Sequence, residues 1–253
     1  MTMPFESVTD RLKKIQDEIA NATIRAGRAL NDVELLAVSK TKPIELIQAA
    51  FAAGQMKFGE NYVQEAVEKA ELLPQPEWHL IGSLQTNKVK FLKNHFKMIQ
   101  SVDRERLAIE LNKELEKIRA HSATGLNFTN CEQDILIQVH VGDEATKQGA
   151  GFDEVPRLIE VINNCPNLRL RGLMSLPPQT ADERIGRGYF ASLREALETW
   201  TSCLQPEARR FFDTLSMGTS HDFEWAIQEG ATMIRVGTAI FGSRGSAPSV
   251  DPG

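Results

Sequence analysis

The 253-residue chain is short of several things, and each shortage argues against a class of function. It carries three cysteines, Cys131, Cys165 and Cys203, widely spaced and with no C-x-x-C. That pattern suits reduced thiols in a cytoplasmic protein, not a disulfide framework or a zinc site, and no metal is expected. No apolar run approaches the ~18 residues of a membrane span. The opening MTMPFESVTDRLKKIQDEIANATIRAG is charged throughout and lacks the apolar core of a signal peptide. Basic residues are not in excess: 29 Lys and Arg stand against 34 Asp and Glu, a net charge of −5. A broad nucleic-acid face is therefore not expected. Neither G-x-x-x-x-G-K-[ST] nor G-x-G-x-x-G occurs, which removes the commonest nucleotide-phosphate loops. Tyrosine is scarce too, with only Tyr62 and Tyr189.

What is present is an ordinary globular composition, 42% hydrophobic and 25% charged, and a regular alternation of strand and helix patterns. Val8, Leu12, Ile15, Ile19 and Ile24 predict an amphipathic helix over 6–30. Strands are expected at 34–40, 56–60, 78–82, 98–102, 134–141, 168–174, 213–217 and 232–242. Helical patterns fall at 43–54, 61–72, 86–96, from a cap at Asp103 through 119, and at 152–164 with Pro156 in the first turn. Two more fall at 180–203 and 220–230. Eight strand–helix units imply parallel pairing through right-handed crossovers and favour a closed (β/α)8 barrel with an extra N-terminal helix. Residues 1–244 are expected to form one domain and 245–253 a disordered tail, with no internal repeat.

A barrel places its site at the C-terminal ends of the strands. LLAVSKTKP puts Lys40 at the end of the first strand, which Pro43 terminates. A lysine there is either a solvated surface charge or a nucleophile. Asn61 follows the second strand, and Ser220 follows the seventh. In MIRVGT, alternation puts Arg235 and Gly237 on one face. If that face is the barrel interior, the guanidinium needs a partner, either a buried carboxylate or a ligand. Gly237 and Thr238 after the eighth strand, with Gly218, Thr219 and Ser220 after the seventh, form a plausible phosphate cup; Ser220 reads equally as an ordinary helix N-cap. A strand-end amine, an interior Arg and phosphate donors together suggest pyridoxal phosphate (PLP).

The stretches LLAVSKTKP, FGENYVQEA, WHLIGSLQTNK, KQGAGF, GLMSLPP, LSMGTSHDFEWAI and RVGTAIFG carry a resemblance running from about residue 6 to residue 244. The chain resembles the pyridoxal phosphate homeostasis protein family, single-domain relatives of the alanine racemase N-terminal barrel. The resemblance implies a Schiff base between PLP and Lys40, with Arg235 facing the pyridine nitrogen. It also implies phosphate contacts from Ser220, Gly237 and Thr238, and Asn61 beside the ring. Two positions depart from the usual pattern, His140 where the family often has Asn, and Thr219 where it often has Met.

An Arg facing the pyridine nitrogen leaves that nitrogen unprotonated and the cofactor a poor electron sink. Racemases that resemble this arrangement add a tyrosine from a second domain, and a second domain is not expected here. Tyr62 either approaches the mouth or packs on the barrel, and Tyr189 falls inside a long helix. The resemblance therefore implies no catalytic residues and a carrier that controls PLP and delivers it to PLP-dependent apo-enzymes; composition adds a cytoplasmic location with no membrane or nucleic-acid partner, and the missing second domain favours a monomer. The alternatives are a PLP-dependent amino-acid racemase and a Schiff-base aldolase that uses the lysine without PLP. Lys147 and Lys42 are further amines near the expected mouth. The basic stretch at 87–97 suits a solvated helix face, or a site for an anionic partner.

Overall fold

The computed structural model describes residues 7–92, 95–122, 132–142 and 148–242. Eight parallel strands close into a barrel in chain order. They are β1 (Glu34–Val38), β2 (Lys57–Glu60), β3 (Glu77–Leu80), β4 (Met98–Val102), β5 (Gln133–Gln138), β6 (Leu168–Met174), β7 (Thr214–Ser216) and β8 (Met233–Val236). Closure comes from β8 against β1, where Leu36 pairs with Arg235 and Ala37 with Val236. The strands are buried on both faces, one under helices and one inside the barrel, which is why LLAV and DILIQV read as near-continuous runs.

The helices are α1 (Val8–Arg25), α2 (Ile44–Ala52), α3 (Val63–Leu72), α4 (Glu105–Ser122), α5 (Val155–Asn163), α6 (Glu183–Trp200), α7 (Pro206–Arg209), α8 (Phe223–Gln228) and α9 (Thr238–Phe241). Helix α1 begins with a capping box: Asp10 N–H donates to the Ser7 hydroxyl at 3.1 Å, and Ser7 N–H to the Asp10 carboxylate at 3.2 Å. It buries Val8, Leu12, Ile15 and Ile19 against α2, α8 and α9, across the β8–β1 closure. Among the described residues no helix is long and apolar enough to cross a membrane.

Several expected elements are shorter. The helix expected over 6–30 ends at Arg25; Ile24 is exposed and a 3-10 turn follows at Leu30–Asp32. The basic segment at 86–96 is a 3-10 helix, Thr86–Phe91, with the Lys88 and Lys90 ammonium groups 5.5 and 5.1 Å from the Phe91 ring centre. The helix expected from Asp103 starts at Glu105, and the Asp103 carboxylate pairs with Arg104. The last two helices differ most. α8 begins at Phe223, not 220, and β8 stops at Val236, with α9 occupying residues read as strand. The tail at 245–253 and Cys131 lie outside the described residues; Cys165 and Cys203 are free thiols, the first buried and the second exposed.

Inside the barrel the packing is only partly apolar. Leu36, Ile81 and Met233, with Val38, make one small cluster, and Met98, Leu136 and Met174 a second. Polar side chains from β3, β4, β7 and β8 share the interior with them, and these orient the site.

Candidate functional site

Lys40, Asn61, Ser220, Arg235, Gly237 and Thr238 all line one cavity of about 300 Å3 at the C-terminal end of the barrel. Val38, Ile81 and Leu176 supply apolar walls, and Gln179, Thr219 and His221 complete the lining. Of these six, only Thr219 is expected from the sequence, as part of the phosphate cup. Ile81, Leu176 and Gln179 follow strand ends, and that position is the signal that could have found them.

Lys40 sits on a strained turn. Lys42 N–H donates to the Ser39 carbonyl at 3.0 Å, and Ser39 N–H donates to the Gly59 carbonyl at 3.0 Å. Thr41, at the third position of the turn, has φ 59°. Left-handed backbone there belongs to glycine or asparagine in a type II turn, and a β-branched residue is an outlier costing about 1–3 kcal/mol. Packed behind the turn is a buried ion cluster. The Lys69 ammonium donates to the Ser39 carbonyl at 2.8 Å, to Glu60 Oε1 at 2.8 Å and to Glu65 Oε1 at 2.6 Å. The Ser39 hydroxyl donates to Glu60 at 2.7 Å, and Thr41 N–H donates to Glu65 at 2.6 Å. Burial pushes the Glu60 carboxyl above its ordinary value, against the pull of Lys69.

Arg235 is 3% exposed, and among the described residues no carboxylate lies within ion-pair distance of it. A buried carboxylate partner, one of the two outcomes expected from the sequence, is thus not what the fold supplies. Arg235 Nη1 donates to the Ser216 hydroxyl at 2.7 Å and Nη2 to the Ser175 carbonyl at 2.6 Å. Burial lowers its pKa to about 10, with Asp222 pulling the other way, so the guanidinium stays charged at neutral pH.

The guanidinium only donates, and this sets the direction of every hydrogen bond behind it. Ser216 accepts from Arg235 and donates to Gln100 Oε1 at 2.6 Å. That leaves Gln100 Nε2 facing His79 Nδ1 at 2.9 Å, so Nδ1 accepts and the His79 proton lies on Nε2. His79 is fully enclosed, and burial, helped by the charges of Lys57 and Lys97, lowers its pKa to about 3. A neutral relay thus locks a charged group that faces the cavity.

The residues around the cavity fit a polar, anionic ligand such as PLP. Asn61 Oδ1 and Ser175 Oγ are buried with no partner among the described residues, one on the lining and one on the residue that anchors Arg235. Ser220 lies in the turn before α8 and is not its cap; the cap is Asp222, whose carboxylate accepts from Thr219 N–H at 2.6 Å and from the Thr219 hydroxyl at 3.0 Å. The anion-binding helix terminus expected at Ser220 is thus displaced to a one-and-a-half-turn helix, because Asp222 closes the preceding loop. Gly237 also has a cause the sequence did not show. A Cβ there would meet the Val38 carbonyl at 3.0 Å, so the missing side chain admits β1. At Gly82 a Cβ would fall 2.2 Å from the Asn61 carbonyl, so only glycine lets the Asn61 backbone lie where it does.

Other sequence candidates are elsewhere. Lys42 donates to the Gly242 carbonyl at 2.8 Å. His140, half-buried, is not on the cavity lining, and its backbone N–H pairs with the Ala150 carbonyl at 2.9 Å. Tyr62 is 55% exposed at the start of α3 and Tyr189 packs within α6, neither of them on the lining. Lys147 lies outside the described residues. A larger groove, about 660 Å3, runs between α4 and α5, but it lies on the outer helix layer and its Arg157 is paired with Glu160 and Glu105.

The fold and the strand-end cavity define the alanine-racemase type of barrel, and the family model "Alanine racemase, N-terminal domain" matches residues 11–245. The pyridoxal phosphate homeostasis protein of Pasteurella multocida (strain Pm70) is 43% identical over 242 residues, covering 94% of this chain and 98% of that protein. The structure of PipY from Synechococcus elongatus PCC7942 with PLP bound superimposes with a TM-score of 0.77 at 32% identity, covering 93% of this chain and all of that one. Alanine racemase from Corynebacterium glutamicum is 14% identical with a TM-score of 0.64, and the match spans 62% of that chain, a likeness of fold. The chain belongs to the alanine racemase N-terminal-domain family and, within it, to the pyridoxal phosphate homeostasis proteins.

Proposed function

We propose that this chain holds PLP on Lys40 and serves in the control of the free cofactor, passing it to PLP-dependent apo-enzymes. The observation that carries the reading is one cavity into which Lys40 and a buried Arg235 without a carboxylate partner both face. PLP supplies an aldehyde that condenses with a primary amine, with loss of water. Arg235 would face the ring nitrogen and Asn61 would lie beside the ring. Ser220, Gly237 and Thr238, where the chain leaves β7 and β8, would hold the phosphate. On this reading the chain acts as a monomer, with no residue of a second subunit needed at the site. The bound PLP of PipY and the names of the curated relatives support the same assignment.

The preference for a carrier over an enzyme rests on the lining. Among the described residues, the only ionisable group on the lining besides Lys40 and Arg235 is His221. Racemisation needs a second group to move a proton on the opposite face of the substrate carbon, so His221 is the one residue on which that second reading stands. The reading is tested by adding PLP to wild type and to Lys40→Ala and following visible absorption, then adding an apo-enzyme and following its activation. Wild type should take up colour and surrender it to the apo-enzyme, and Lys40→Ala should do neither. Solvent deuterium entering alanine at Cα in a His221-dependent way would favour the racemase instead.

A further inference from the structure

Thr41 is the one described residue other than glycine with positive φ, and it directly follows Lys40. Nothing within the turn favours that conformation, since a threonine hydroxyl and methyl crowd the backbone in the left-handed region. The groups that hold it come from elsewhere in the fold. Lys69, 7% exposed in α3, spends its three N–H donors on the Ser39 carbonyl, Glu60 and Glu65. Glu65 then accepts from Thr41 N–H. The peptide groups before and after Lys40 are therefore gripped from behind by a single ammonium and its i,i+4 carboxylate, with Glu60 at the end of β2 anchoring the ammonium. The cluster meets the turn at the Ser39 carbonyl, the Thr41 N–H and the Ser39 hydroxyl.

We infer that Lys69, Glu65 and Glu60 are positioning residues that hold the Ser39–Lys42 turn in its strained form and so aim the Lys40 amine into the cavity. The inference deepens the PLP reading and rests on it for the identity of the ligand. A turn freed from the cluster relaxes at Thr41, because a β-branched residue prefers negative φ. Lys40 then leaves the direction that brings its amine to the cavity wall, and capture of an aldehyde slows although the amine itself is unchanged.

The test has two readouts on the full-length protein. The first is amide hydrogen exchange at Thr41 and Lys42 without PLP. The second is the rate at which Lys40 captures added PLP, read as borohydride-stable attachment. Glu65→Leu removes the acceptor of Thr41 N–H at a half-exposed position, and Lys69→Met removes the whole grip. Each should speed exchange and slow capture by about tenfold or more, the scale of losing a hydrogen bond to a charged group. Thr41→Gly, added to Glu65→Leu, should restore capture to within about threefold, because glycine adopts the left-handed conformation without support. Lys69→Met stands in a buried ion cluster, so the Glu65→Leu pair decides if Lys69→Met does not fold. Wild-type exchange and capture in Glu65→Leu would overturn the inference, as would failure of Thr41→Gly to restore capture. If wild type captures no PLP at all, the PLP reading falls, while exchange at Thr41 and Lys42 still decides whether the cluster holds the turn.

Discussion

Two buried charges at opposite ends of the barrel, Asp134 and Arg235, are handled in opposite ways. At the N-terminal end, Asp134 is 2% exposed and takes Arg169 at 2.6 Å and Arg171 at 3.2 Å, so charge meets charge. At the C-terminal end, Arg235 is as deeply buried and meets only a hydroxyl and a carbonyl. Removing an ion from water is expensive, and an opposite charge inside the protein offsets part of that cost. The first arrangement is therefore a finished part of the fold. The second leaves a cation that a ligand in the cavity it lines would compensate. A buried charge that no described carboxylate pairs with, at the end where barrels carry their chemistry, marks the site more surely than any motif does.

The widest effect should come from the group at the end of the Arg235 relay. His79 has a folded pKa near 3 against an ordinary 6.5, so it is neutral in the fold. The unfolded chain binds the extra proton between those values. The contribution of His79 is thus fully present above pH 6.5 and falls as pH drops toward 3, at about 1.4 kcal/mol per pH unit. Denaturant unfolding across that window should show this slope in wild type and lose it in His79→Gln. Next is the matched end: Asp134→Ala strands two guanidiniums that are about a quarter to a third exposed and should cost about 3 kcal/mol of stability, with PLP affinity unchanged. Arg235→Met should do the reverse. PLP binding, measured by equilibrium titration, should weaken by about 2 kcal/mol, while the unfolding midpoint holds or rises. If Arg235→Met destabilises the fold as much as Asp134→Ala does, the contrast between the two ends fails. The smallest change is Ser216→Ala, which cuts the relay between Arg235 and Gln100 and should cost about 1 kcal/mol in each measurement.

Much of this was legible in the sequence. The eight strands read out from apolar runs and turn residues, and Lys40 and Arg235 were identifiable because Pro43 ends one strand and alternation fixes the face of another. What escaped depends on contacts between distant segments. The helix expected over 61–72 is found, but nothing in its sequence singles out Glu65 and Lys69. Lys69 is buried and Glu65 half-buried only because the 39–42 turn and β2 cover them. Threonine is also a poor sign of a left-handed turn, so Thr41 gave no warning. His79 and Gln100 did give one, as polar residues inside WHLIG and MIQSV, but their partners lie on other strands. The short α8 and α9 differ from the expected pattern because Asp222 closes a loop onto Thr219 and Gly237 ends β8 early, neither of which a periodicity reveals.

The most direct measurement is borohydride reduction of the protein incubated with PLP, followed by proteolysis and mass mapping of every lysine. The cavity geometry predicts one dominant attachment, on the peptide carrying Lys40, and its loss in Lys40→Ala. Attachment spread over surface lysines, concentrated on another residue such as Lys42 or Lys147, or absent altogether would contradict it.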